Sequence, residues 1–323
     1  MTKYDLVVVG DLVADIILPV SSLPLRPNEH GWADGLFVEL GGSCTTLVAA
    51  RRVELQVAAL GILGDDEYGR QVVQMLADEG VDVSEVAMYA GRQTVLCVVV
   101  TDKAGEHVFL GIKDNRPAEP VPERWLDVIR RSRSVYTTGY ALRDLLQPDD
   151  VLHALRTARS FGTTVFFDPG PSIAFLEREL LADVLVQTDV LLLTEEEATF
   201  LGHDGAPEEV ARALQGLGPQ VVVLKAGSAG CYIAAEEQVS HQPGFDVKVV
   251  DTVGAGDAFV AAFVAAYLRG GSWRECGAVA SAMGAAVAST RGAGRRVPPL
   301  SRVLELVADD PAARLVRPNR EVR

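Results

Sequence analysis

Six short apolar runs recur along the chain, at 6–9, 57–60, 135–138, 164–167, 190–193 and 221–224. Most are uninterrupted stretches of Val and Leu, as in parallel strands that are covered on both faces. Between them, segments 47–53, 68–79, 149–161, 195–201 and 208–217 carry apolar residues at mixed spacings of three and four, the helical pattern. This alternation predicts a doubly wound α/β fold with a mostly parallel sheet. The 323 residues, 48% of them hydrophobic, suffice for one large domain or two small ones.

Two regions break the rhythm. Residues 15–40 hold Pro19, Pro24 and Pro27 and end in a strand-like stretch; 93–112 read as a hairpin, TVLCVVVT and HVFLGI around a DKAGE turn. Together they predict a small β-sheet appended to the domain as a lid. The tail 309–323, with two prolines and four arginines, reads as a loose end.

The net charge of −14 argues against a nucleic-acid or anionic-membrane surface. Cys44, Cys97, Cys231 and Cys276 form no CxxC pair and fit a reducing cytosol. His30, His107, His153, His203 and His241 show no metal-ligand spacing. The opening MTKYDLVVVGD turns acidic after one short apolar run, unlike a secretory signal, and the longest apolar run, 258–267, is too short to span a bilayer. The expectation is a soluble cytoplasmic protein.

Chemistry concentrates where strands end. DTVGAGDAF, at 251–259, follows an apolar run at 247–250 read as a strand and precedes an alanine-rich helix at 258–268. Gly254, Ala255 and Gly256 would let N–H groups of a helix start face an anion. Asp257 beside such a cradle would repel the anion unless it accepts a proton from an attacking hydroxyl. By spacing alone, a glycine turn capping a helix, with Asp257 as a helix-start acid, stays open. The stretch lacks the third glycine of a dinucleotide fingerprint, and no Walker A loop occurs. ELGGSCTTLVAARR presents Gly41 and Gly42 before Ser43, Thr45 and Thr46: either a polyol-binding turn or a plain N-cap by Thr45 or Thr46. Downstream, Gly64, Asp65, Asp66 and Gly69 read as a structural turn and cap. Asp11 and Asp15 flank the exit of the first strand, placed to bind vicinal hydroxyls or to make a turn. Asp168 follows another strand. Thr194, Glu195, Glu196 and Glu197 follow a third, as a helix cap or a metal ligand set. Lys225, Gly227 and Gly230 form a glycine loop fit to lie under a nucleotide.

The order of these motifs resembles the ribokinase, or PfkB, family of carbohydrate and nucleoside kinases, from Leu6 to about Pro298. The resemblance implies a single ribokinase-like domain over 1–323, a three-layer α/β/α fold with a β-lid at about 15–40 and 93–112. It implies Asp257 as catalytic base and Gly254, Ala255 and Gly256 as the anion hole. Asp15, Gly41, Gly42 and Thr46 would hold the substrate. Thr194, Lys225, Gly227, Gly230, Gly256 and Ser281 would lie along ATP. Glu197 would organise Mg²⁺ through water, and Asp251 and Val253, with 291–295, would bind a monovalent cation such as K⁺ through backbone carbonyls. Thr46, Thr194 and Ser281 each stand where the family usually has Asn. The expected activity is ATP-dependent transfer of the γ-phosphoryl group to a primary hydroxyl of a sugar or sugar derivative, in a homodimer joined through the lid. A nucleoside acceptor is the nearest alternative, with Trp32 and Phe37 to stack on a base. A phosphosugar acceptor would use Arg26, Arg92, Lys103 or Lys113. A sugar-binding pseudokinase would keep the glycines yet lose the base, and the presence of Asp257 counts against it.

Overall fold

The computed structural model describes residues 3–28 and 30–316. Its strands are β1 (Tyr4–Val9), β2 (Leu12–Pro19), β3 (Phe37–Gly42), β4 (Val57–Leu60), β5 (Ile62–Gly64), β6 (Ala87–Tyr89), β7 (Leu96–Thr101), β8 (His107–Ile112), β9 (Ser132–Thr138), β10 (Thr164–Asp168), β11 (Val190–Thr194), β12 (Val221–Lys225), β13 (Cys231–Ala235) and β14 (Gln238–Gln242). Eight of them form one sheet in the order β14-β13-β12-β11-β10-β9-β1-β4. Its pairs are parallel from β4 to β12, and β13 and β14 close the far edge antiparallel. The chain builds from β1 out to β4, then returns to β9 on the other flank of β1. At that reversal a doubly wound sheet opens a crevice beyond its carboxyl ends.

Both faces of the sheet are dry, which explains the uninterrupted apolar runs. Leu6, Val8 and Phe166 enter one core; Val7, Val9, Val165 and Phe167 enter the other. The first face is covered by α1 (Ser43–Arg52), α2 (Glu67–Asp78) and, from the end of the chain, the helices Ala255–Leu268, Trp273–Ala288, Leu300–Leu306 and Ala313–Val316. The second is covered by α3 (Glu123–Arg130), α4 (Pro148–Ser160), α5 (Arg178–Gln187), α6 (Glu195–Phe200) and α7 (Pro207–Gln215). Helix Ala255–Leu268 is α8, and Trp273–Ala288 is α9. Residues 258–266 of α8 are all buried, because α8 is wedged against α1 and α9 as well as the core.

A second sheet has the order β3-β2-β7-β8. Its β7–β8 hairpin turns through 102–106, where the Asp102 carboxylate accepts from the N–H groups of Leu23, Ala104 and Glu106. The chain crosses between the two sheets at Gly10–Asp11 and again at Gly42–Ser43. Neither crossing has room for a side chain: a Cβ on Gly10 would lie 2.2 Å from Ser43 Oγ, and one on Gly42, at φ +55°, would lie 2.8 Å from the Asp11 carbonyl oxygen.

The structure corrects four expectations. Residues 247–250 are not a strand; β14 ends at Gln242, and the run crosses the surface with Val249 and Val250 exposed, so no neighbouring strand pairs with it. Helix α1 starts at Ser43 rather than 47, with Gly42 at the N-cap, so Thr45 and Thr46 lie inside its first turn and do not cap it. Helix α8 starts at Ala255, which brings Gly256 and Asp257 into its first turn. The tail packs as far as Val316, with Ala313, Leu315 and Val316 buried; 317–323 lie outside the described residues. Asp66 behaves as the sequence implies, capping α2 by accepting from Gly69 N–H at 2.8 Å.

Gly230 supplies a test of how the last strands are held. It sits at φ +95°, and a Cβ there would lie 2.0 Å from the Gln242 carbonyl oxygen of β14. Gly230→Ala is expected to lower stability by ~1–3 kcal/mol, from overpacking and a left-handed backbone. A fall in the urea midpoint at unchanged slope is the measurement; an unaltered midpoint would contradict it.

Candidate active site

The carboxyl ends of β1, β9, β10, β11 and β12 bring Asp11, Thr138, Asp168, Thr194 and Lys225 to one edge of the large sheet. The N-terminus of α8 lies over them. No side chain caps it, Gly254 at its N-cap is left-handed at φ +76°, and Ala255 N–H is already spent on the Thr252 carbonyl. The following N–H groups of the first turn are thus presented at a positive helix end. A Cβ on Gly254 would come within 2.7 Å of Ala293 Cβ, so only glycine lets the loop pass beneath 293.

Asp257 keeps part of its surface open to solvent, and its pKa is raised to about 7. Burial is the largest cause, followed by the carboxylates of Asp168 and Asp11; Lys225 and the Thr46 hydroxyl oppose it. Thr46 donates to Asp257 Oδ1 at 3.5 Å. The residue that replaces the usual Asn therefore connects α1 to the carboxylate of α8.

Asp11 is fully enclosed. Ser43 Oγ donates to its Oδ1 at 2.7 Å and Thr138 Oγ1 donates to the same oxygen at 3.0 Å. Burial raises its pKa despite those bonds. Asp15, on β2, is raised to about 7 by burial first, then by Glu39 and Asp11. Its carboxylate lies against the α-carbon of Gly41, where a Cβ would be 2.0 Å from Oδ1. The two glycines therefore seat these two acids.

Lys225 Nζ pairs with Asp168 Oδ2 at 2.6 Å, and a Cβ on Gly256 would be 3.8 Å from that ammonium. Burial opposes the charge on Lys225, but Asp168 and Glu197 hold its pKa above the ordinary value. Glu197 is raised by burial and by Asp168, against the pull of Lys225. Thr194 and Glu197 form a capping box for α6: Glu197 Oε2 accepts from Thr194 N–H at 2.8 Å and Thr194 Oγ1 accepts from Glu197 N–H at 3.2 Å. Capping and proximity to the Lys225–Asp168 pair thus coexist in Glu197. Gly227 is left-handed at φ +56° with open space where a side chain would be, consistent with a loop that a ligand can approach closely.

Asp251 ties two loops together. Its Oδ1 accepts from Val253 N–H at 3.0 Å and its Oδ2 from Gly292 N–H at 2.8 Å. Ser281 lies apart from the charged cluster, buried in α9 with its hydroxyl 3.8 Å from Cys231 Sγ. Two of the four basic residues considered for a second phosphate are engaged elsewhere: buried Arg92 pairs with Glu119 and Asp114, and Lys113 pairs with Asp144. Sequence reasoning did not single out Thr138, Glu39 or Arg295. Thr138 carried a usable signal, a hydroxyl at the end of a buried strand beside the reversal of the sheet.

Glycines and a helix start facing a carboxylate and a buried lysine, at the switch point of a doubly wound sheet, define a phosphotransferase for a hydroxyl acceptor. Residues 3–299 match the model of the pfkB family carbohydrate kinase, and the chain belongs to that family. It is an ATP-dependent sugar kinase. It is 32% identical over 294 residues to the ATP-dependent ribose-1-phosphate kinase of Halopiger xanaduensis, covering 88% of this chain and 92% of that one. A fructokinase of Klebsiella pneumoniae is 31% identical, covering 80% and 82%. Among solved structures, Arabidopsis thaliana ribokinase complexed with ribose and ATP superposes with a TM-score of 0.80 at 25% identity, covering 94% of this chain and 98% of that one. A ribokinase II from E. coli in complex with ATP and Mg²⁺ shares the fold, with a TM-score of 0.81 at 20% identity over 94% and 99% of the two chains. No helix among the described residues is long and apolar enough to cross a membrane.

The raised pKa of Asp257 has a consequence for stability. The folded protein holds the Asp257 proton more tightly than the unfolded chain does. This group's contribution is therefore full below its ordinary value near 4 and is lost as pH rises to about 7. Asp257→Asn is expected to raise the unfolding free energy at pH 8 by ~1–2 kcal/mol, with the gain vanishing near pH 4. Urea titrations at the two pH values read this; a gain as large at pH 4 as at pH 8 would contradict it.

Proposed function

We propose that this kinase transfers the γ-phosphoryl group of ATP to a primary hydroxyl of a sugar or sugar derivative, with Asp257 as the base. One observation carries the reading: a carboxylate with pKa about 7 stands in the first turn of an uncapped helix, with buried Lys225 close by. A base of that pKa can take a hydroxyl proton at neutral pH. As the acceptor oxygen bonds to the γ-phosphorus, the proton passes to Asp257 and the bond to the β,γ-bridging oxygen breaks, releasing ADP. The N–H groups of Gly254 and Gly256 and the Lys225 ammonium would face the charge that spreads over the transferring group, while Ala255 N–H stays on the Thr252 carbonyl. Thr46 holds the carboxylate in place. Asp15 is the group on the small sheet to receive sugar hydroxyls, with Gly41 keeping the backbone close.

Among the described residues no three His, Cys, Asp or Glu are grouped to hold a metal. Glu197 would hold Mg²⁺ through water, because Mg²⁺ keeps several waters and hard oxygen donors. When bound, the ion would neutralise charge on the transferring phosphates. The loops joined by Asp251, at 251–253 and 291–295, are the place for a monovalent cation such as K⁺. Thr194, Lys225, Gly227, Gly230 and Gly256 would line the nucleotide, and Ser281 would act from behind the adenine. The small sheet would serve as a lid that excludes water. Its edge strand β8 exposes Val108, Leu110 and Ile112, an apolar surface suited to a second copy of the chain. The cysteines are free, three of them buried, as suits the cytoplasm. A nucleoside is the second reading for the acceptor, favoured by the exposure of Trp32 and Phe37 on the same region. A phosphosugar draws support from the ribose-1-phosphate kinase relative, but the Arg92 and Lys113 charges are already matched by carboxylates.

Three experiments test this reading. ADP release over ribose, fructose, ribose-1-phosphate, sugar acids and nucleosides is expected to select a sugar, with kcat/KM rising as pH passes through about 7. Asp257→Asn should lower kcat about 10²–10⁴-fold while ATP binding persists; turnover near the wild-type level would remove Asp257 as the base. Leu110→Asp should convert a sedimenting dimer to monomer, and an unchanged mass would place the interface elsewhere.

A further inference from the structure

The small sheet touches the cradle loops at two places. On β3, the buried Glu39 carboxylate receives Arg295: Nε at 2.9 Å and Nη2 at 3.4 Å, with the Arg295 backbone N–H at 3.3 Å. This grip lies two residues before the Gly41–Gly42 crossing. The second contact lies at the opposite end of the sheet. The turn of the β7–β8 hairpin seats Gly105 beside the Val250 carbonyl, and His107, the first residue of β8, places Nε2 3.3 Å from Asp251 Oδ1. Both side chains are largely enclosed, 13% and 9% exposed, and the imidazole is stacked on Phe109 with ring centroids 5.8 Å apart.

Asp251 does not touch the phosphates' cradle itself. It aligns it, by accepting from Val253 N–H just before Gly254 and from Gly292 N–H on the facing loop. The oxygen that meets His107 is the one that holds Val253. A force on the hairpin tip therefore reaches the residue before the left-handed N-cap of α8 through one polar contact, His107 to Asp251, and one hydrogen bond, Val253 N–H to Asp251. We propose that His107 is a positioning residue that couples the small sheet to the phosphoryl-transfer loop, through its polar contact with Asp251 when the hairpin tip is down. The proposal rests on the reading of the small sheet as a lid and of Gly254–Asp257 as the transfer loop. Coupling of this kind is typically worth a factor of about 10. It lets the loop be ordered when the acceptor is covered, so that ATP is not spent on water.

The test compares His107→Ala with His107→Gln, whose amide Nε2 can still donate to Asp251. In the full chain with MgATP, amide hydrogen exchange in peptides spanning 251–256 and 290–294 is expected to quicken about 10-fold in the Ala variant and to return near wild type in the Gln variant. With the best acceptor from the panel of ribose, fructose and ribose-1-phosphate, kcat should fall about 10-fold in the Ala variant, with KM for ATP changed less than about threefold. The ratio of acceptor-free ATP hydrolysis to sugar phosphorylation should rise. Exchange and kcat in the Ala variant matching wild type would overturn the coupling. So would a Gln variant as impaired as the Ala variant, which would assign the loss to packing against Phe109. Failure of the base assignment would be read separately, as persistent turnover of Asp257→Asn, and would leave the exchange comparison intact.

Discussion

The buried carboxylate of Asp11 is the joint on which the rest depends. It leaves β1 at the point where the large sheet becomes the small one, and it receives hydroxyls from the start of α1 and the end of β9. Three segments distant in sequence are thereby fixed at one point. A dehydrated acid is held there only because each approach to it is shaped for it, with Gly10 and Gly42 bringing backbone where a side chain would collide. Loosening this joint would shift Thr46, Asp15 and the lower edge of the crevice together.

The same joint sets the electrostatic character of the crevice. Asp168, Glu197 and Asp257 gather around buried Lys225, Asp11 and Asp15 lie beyond them, and Asp11, Asp15, Glu197 and Asp257 are each pushed toward their protonated forms. Such crowding is unfavourable to the folded protein taken alone. It suits a site whose ligand arrives with its own cations. The crowding is a strain located where chemistry uses it.

Much of this was legible in the sequence, and the reasons are local. The parallel core strands show as unbroken Val and Leu runs because both faces are covered. The DTVGAGDAF motif shows because a glycine-rich helix start followed by an acid is a rare combination. The strand expected at 247–250 failed because an apolar run says nothing about whether a neighbouring strand exists to pair with it. Helix α9 escaped notice because burial on most sides erases its periodicity, with Cys276 to Met283 enclosed throughout. The contacts of Glu39 with Arg295 and of His107 with Asp251 span 256 and 144 positions in the chain. No local pattern encodes such pairs; they exist only once the small sheet has folded over the crevice.

The bond between Thr46 and Asp257 joins residues 211 positions apart. During synthesis the first forms part of α1 long before the second leaves the ribosome. A nascent or truncated chain can therefore build most of the large sheet while lacking Asp257 and the start of α8. This edge of the crevice is completed almost last, when α8 docks beside α1. On the reading of Asp257 as the base, a chain that stops short of α8 would hold much of its scaffold and transfer no phosphate.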